Sequence, residues 1–144
     1  MSNHSKPFDS YIFPRINKKV RNRSVLAAMT NKQSHSDGIL SDREIKWLTR
    51  RAKDGFGIKT TAATHVSKYG QGWEGEFGIF DDLFIDKLKV LTKNIHQHDC
   101  LIFAQLFHGG MRASEKLTGK TPISASRIPC EQSSTGFTSS ANAK

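Results

Sequence analysis

The 144 residues suffice for one domain with its own core, but at 36% apolar content that core is not generous. Lys and Arg number 22 against 13 Asp and Glu, and the resulting formal charge of +9 favours an anionic partner (nucleic acid, an acidic membrane surface or a phosphorylated ligand) without choosing among them. No apolar run reaches the ~18 residues of a membrane span. The N-terminus has no signal-peptide apolar stretch, and Cys100 and Cys130 form neither a disulfide framework nor a zinc pattern, so a reducing cytoplasm is the expected compartment.

Residues 1 to 22 are polar and basic and end in KKVRNR. They read as a lead-in segment. A nucleic-acid tail is the weaker alternative, because Phe8, Tyr11, Ile12 and Phe13 favour docking on a core. SVLAAM, residues 24 to 29, is continuously apolar, as a buried strand of a parallel sheet is. After the polar loop TNKQSHSDG comes a helix. Ser41 and Glu44 form the capping box SDRE, Ile45, Leu48 and Ala52 share one face, and Gly55 stops it.

A second strand, FGIKTTAA at 56 to 63, leads into the glycine-rich YGQGWEGEFG. The second helix begins at Asp81 and Asp82, where carboxylates suit a helix N-terminus. Its apolar stripe is Phe84, Leu88, Leu91 and Ile95. CLIFAQLF, residues 100 to 107, is the third strand, with Cys100 read as a buried free thiol. From about Arg127 onward Ser and Thr dominate, which reads as a disordered or divergent tail.

The order strand, helix, strand, helix, strand implies βαβ units and a parallel sheet. Polar groups follow each strand: Met29-Thr30, then Ala63-Thr64-His65, then Gln105 to His108. In parallel α/β folds ligands bind at the carboxyl ends of strands.

Individual motifs are weaker. The G-x-G within residues 70 to 78 does not follow a strand and open a helix as a dinucleotide fingerprint requires, so a connecting loop over the mouth is the better reading. His96 and His98, late in the second helix, read as solvent-facing. No metal-ligand spacing is convincing. Lys59 is weighed as a Schiff-base lysine, which needs a desolvated pocket. The favoured reading has it at the strand's amino end with its head in water. Gln105 interrupts an apolar strand, and a buried amide needs a fixed partner; ligand contact and structural hydrogen bond stand even.

NRSVLAAMTNKQSHSDGILSD, GFGIKTTAATHV, GQGWEGEFGIFDD and QLFHGGMRA, in this order and spacing, resemble the old yellow enzyme family, the FMN-dependent NADH:flavin oxidoreductases. The resemblance implies the N-terminal part of a (β/α)8 TIM barrel, with about three βα units and parallel strands. Residues 1–126 would belong to it and 127–144 would form a divergent Ser/Thr-rich tail. It implies FMN as cofactor, NADH or NADPH as hydride donor, and an electron-poor alkene or similar small molecule as acceptor. Carried over by motif, Ala27, Ala28 and Met29 would lie against the flavin ring, and Thr30 would donate near flavin O4 and N5. Ala63 would pack beside the ring, and Gln105 would pair with its pyrimidine edge. His108 would shape the turn rather than transfer a proton.

The family's substrate-binding pair (two histidines, or a histidine and an asparagine), an arginine near the flavin, and the phosphate loops after strands seven and eight all come from later strands. No catalytic residue of the family therefore falls within this chain. A whole barrel takes about 250 residues. The expectation is a truncated or split form, inactive alone, needing a separate chain for the remaining strands. A non-catalytic half-barrel interaction protein is the alternative. A nucleic-acid-binding module is disfavoured, since aromatic and basic residues do not interleave on one surface.

Overall fold

The computed structural model describes residues 7–125. The Ser/Thr-rich segment at 127–144 and Cys130 lie outside the described residues. A short antiparallel hairpin comes first, β1 (Tyr11–Phe13) and β2 (Lys18–Val20). The lead-in segment is thus partly structured. Val20 is buried and Arg23 lies over the Tyr11 ring, while Phe8 remains exposed.

The main sheet is β3 (Val25–Leu26), β4 (Ile58–His65) and β5 (Leu101–Phe107), parallel and adjacent in that order. Helix α1 (Asp42–Lys53) connects β3 to β4, and α2 (Ile85–His96) connects β4 to β5. A four-residue α3 (Glu115–Thr118) follows. Two βα crossovers with short strands on one parallel sheet are the opening units of a TIM barrel. The sheet stays open on the far side of β5 among the described residues.

The first strand is shorter than the apolar run predicts. Its ladder ends at Leu26, and Ala27 to Thr30 continue as irregular chain. Val25 is 54% exposed, because only one edge of β3 is paired and continuous apolarity needs cover on both faces to bury.

The helices form largely as their sequences dictate. Ser41 Oγ accepts the Glu44 N–H at 3.1 Å, one half of the predicted capping box. The Glu44 carboxylate does something else, described below. Helix α1 ends at Lys53, with Asp54 as cap and Gly55 just beyond at φ +130°. Residues Asp82–Phe84 form a 3₁₀ turn ahead of α2, with the Asp81 carboxylate accepting the Leu83 N–H at 3.0 Å.

The predicted apolar faces meet. Leu40, Ile45, Leu48, Ala52, Leu91 and Ile95 pack against Ala62 and Cys100 on the outer face of the sheet. Burying each large side chain there stabilises the fold by roughly 1.5–3 kcal/mol. Cys100 is a buried free thiol, and His96 faces solvent. Among the described residues no helix is long and apolar enough to cross a membrane.

Candidate functional site

Ala63 and Gln105 are register partners across β4 and β5. Between Thr60 and Ala63 the register shifts by one extra residue of β4, a bulge near the strand's carboxyl end. At that bulge Thr61 Oγ1 accepts the backbone N–H of Gln105 at 3.0 Å. Gln105 is exposed rather than buried, since no described strand covers β5 on its far side. Its amide is therefore presented, not consumed internally.

On the other side of β4, residues 27–30 leave the end of β3. Ala27, Met29 and Thr30 are exposed, and Ala28 is half-buried. All six residues expected to touch flavin thus sit at one end of three adjacent strands. Ala27 and Ala28 present small side chains, Ala63 is buried at 7% exposure, and the Gln105 amide offers both a donor and an acceptor to a heterocycle edge. The residues present fit the ring of FMN.

His108 lies just past β5. Its Nδ1 accepts the Gly110 N–H at 2.9 Å, which orders the turn. Its ring packs so tightly over Gly70 that a Cβ at Gly70 would fall 2.5 Å from His108 Cδ2. The glycine loop reaches across the end of β5 here: Gly70 O accepts the Gly109 N–H at 2.7 Å, and Trp73 packs on Phe107 with ring centroids 5.1 Å apart. Close approach, not a phosphate cradle, explains these glycines.

Lys59 departs from its favoured reading. It is fully buried, with Nζ donating to the Leu48 carbonyl and lying 5.6 Å from the Trp47 ring centroid. Its head does not reach water, because β4 is sandwiched under α1. Desolvation lowers its pKa to about 8. It sits on the helix side of the sheet, away from the strand-end mouth.

Three buried polar groups have partners that the motifs did not indicate. Glu44, fully buried in the first turn of α1, accepts Asn31 Nδ2 at 2.9 Å and Ser34 Oγ at 2.6 Å. Burial raises its pKa, and those two hydrogen bonds oppose the rise. Its signal was the capping box, which disguised it. His65, at the end of β4, and Glu76, in the glycine loop, are both 2% exposed, with Nδ1 and Oε2 3.9 Å apart. Burial lowers His65 to about 4 and raises Glu76 to about 7, so near neutrality the imidazole is uncharged. Glu76 Oε2 accepts the Gly72 N–H at 2.7 Å. Nothing in sequence spacing pairs residues 65 and 76; the loop's return to β4 does so, through His65 N–H to Phe77 O at 3.1 Å and Ile79 N–H to His65 O at 3.0 Å. Among the described residues no group of three His, Cys, Asp or Glu side chains could hold a metal.

The fold is that of the opening units of an α/β barrel, a class of protein whose ligands bind at the carboxyl ends of the parallel strands. The sequence matches the NADH:flavin oxidoreductase / NADH oxidase family over residues 15–142. An NADPH dehydrogenase of Listeria monocytogenes is 30% identical over 131 residues, covering 90% of this chain and 37% of that protein. An NADH oxidase of Thermoanaerobacter brockii is 28% identical over 113 residues, covering 77% of this chain and 17% of that one. The solved old yellow enzyme homologue from Zymomonas mobilis superposes with a TM-score of 0.78 at 26% identity, over 97% of this chain and 40% of its own. The chain belongs to the NADH:flavin oxidoreductase / NADH oxidase family, whose members use FMN and a nicotinamide. It spans well under half the length of each of these relatives.

Proposed function

We propose that this chain forms the flavin-ring face of an old yellow enzyme-type oxidoreductase, passing hydride from NADH or NADPH through FMN to an electron-poor alkene or similar small acceptor. The placement of Ala63 opposite Gln105, beside the exposed 27–30 segment, carries this reading. When bound, FMN supplies the hydride chemistry, and the protein supplies orientation and hydrogen bonds. Gln105 holds the pyrimidine edge, Thr30 donates to the ring near O4 and N5, and Ala27, Ala28, Met29 and Ala63 line the ring's faces and edges. His108 keeps the turn beside the mouth in place.

The groups placed at the strand ends 27–30, 63 and 105 address the ring of the flavin. The exposed apolar side chains Phe103 (52%) and Leu106 (67%) on β5 favour cover by further strands. In this reading turnover of NADH needs those further strands. The free buried thiol at Cys100 accords with a cytoplasmic location.

The test is titration of FMN and of riboflavin with the purified chain, followed by flavin fluorescence. The expected result is weak quenching, equal for both flavins and reduced about tenfold in affinity by Gln105→Ala, the share of one or two hydrogen bonds to the ring. No quenching, or quenching indifferent to Gln105→Ala, refutes the reading.

A further inference from the structure

We infer that Glu44 is a positioning residue of the flavin mouth: its buried carboxylate pins residues 31–34 and so holds Met29 and Thr30 where the strand ends present them. The inference rests on the reading of that mouth as a flavin site. The sheet itself does not hold these residues, because the β3 ladder ends at Leu26. Four residues of irregular chain follow before any tertiary anchor, and their freedom must be removed by what comes next.

That anchor is two-sided. From α1, Glu44 Oε1 accepts Asn31 Nδ2 and Oε2 accepts Ser34 Oγ. From the glycine loop, Gly75 O accepts the Ser34 N–H at 3.1 Å, and Gly75 lies so close that a Cβ there would fall 2.7 Å from Lys32 O. Within the segment, Asn31 Oδ1 accepts the Gln33 N–H at 3.2 Å, and Lys32 takes a left-handed φ of +50°. A residue held at positive φ without being glycine is held by its surroundings.

The burial of Glu44 exceeds what helix capping needs. A capping-box glutamate returns to the backbone at its own helix start and works at the surface. Glu44 is 0% exposed and spends both oxygens on the loop 10 and 13 residues before it. A desolvated carboxylate is costly unless hydrogen-bonded, and both oxygens are satisfied by that one loop. Helix α1 packs on the sheet through Ile45 and Leu48, the next residues along it. Through Glu44, the rigid core therefore sets the position of a segment that emerges directly from Thr30.

The experiment uses the 144-residue chain with Asn31→Ala/Ser34→Ala and Glu44→Gln. The double variant changes only half-buried loop side chains, so it keeps the core intact if Glu44→Gln fails to fold. Backbone amide exchange is measured without flavin, then riboflavin affinity and the visible spectrum of the bound flavin. Expected for the double variant are exchange at 31–34 at least tenfold faster, affinity about tenfold weaker, and a shifted bound spectrum; the thermal midpoint falls because Glu44 loses both partners, while exchange in α2 and β5 changes far less than at 31–34. Unaltered exchange overturns the clamp. Faster exchange with unaltered affinity and spectrum overturns the positioning role. A wild-type chain that quenches no riboflavin overturns the flavin reading and the role together, and the flavin-free exchange data show whether the clamp itself survives.

Discussion

The buried pair His65 and Glu76 makes a prediction about stability against pH. Folded, His65 titrates near 4 and Glu76 near 7; their ordinary values are 6.5 and 4.5. Between pH 4.5 and 6.5 the folded pair carries one proton, on Glu76, and the unfolded chain carries one, on His65. Proton counts match, so the pair adds almost no slope to stability in that window. Removing either partner uncovers the other. In Glu76→Gln the depressed His65 remains, so its contribution is complete above 6.5 and is lost as pH falls towards 4. In His65→Gln the raised Glu76 remains, so its contribution is complete below 4.5 and is lost as pH rises towards 7. One proton's difference is about 1.4 kcal/mol per pH unit, and each variant loses about 3 kcal/mol across its window. Both groups are buried, so solvent screening takes little from this figure. Urea titrations followed by the fluorescence of Trp47 and Trp73 across this range measure it. Opposite slopes in the two variants are expected. Two variants with the wild-type slope would refute the reasoning.

Lys59→Met removes a desolvated amine, whose depressed pKa makes stability fall as pH drops from 10.5 to about 8. The variant gains about 1–3 kcal/mol at neutral pH and loses that alkaline slope, read from urea midpoints at pH 7 and above. Gly70→Ala forces a Cβ against His108 and costs about 1–3 kcal/mol, with faster amide exchange at Gly109. Gln105→Ala weakens flavin binding but leaves the thermal midpoint unchanged, since that side chain is exposed and the Thr61 contact uses the Gln105 backbone.

Much of this protein was legible before its fold was known. The apolar stripes on α1 and α2, the Ser41 cap and the alternation of strands with helices are local patterns, and short-range periodicity determines them; the helix expected from Asp81 begins only at Ile85, after a 3₁₀ turn. Local order also places Met29-Thr30 just beyond one strand and Ala63 and Gln105 late in the next two, which brings them to one end once the strands run parallel. Tertiary structure alone decided what long-range packing controls. The one-residue bulge that sets Ala63 against Gln105 depends on the register of two strands some forty residues apart. The burial of Lys59 depends on α1 lying over it, and the His65–Glu76 pair on the glycine loop folding back on β4. Glu44 shows the division most clearly. Its sequence context names a helix cap, and that half forms; its carboxylate goes instead to Asn31 and Ser34. A buried carboxylate takes whichever donors the fold brings to it, and sequence spacing does not encode which those are.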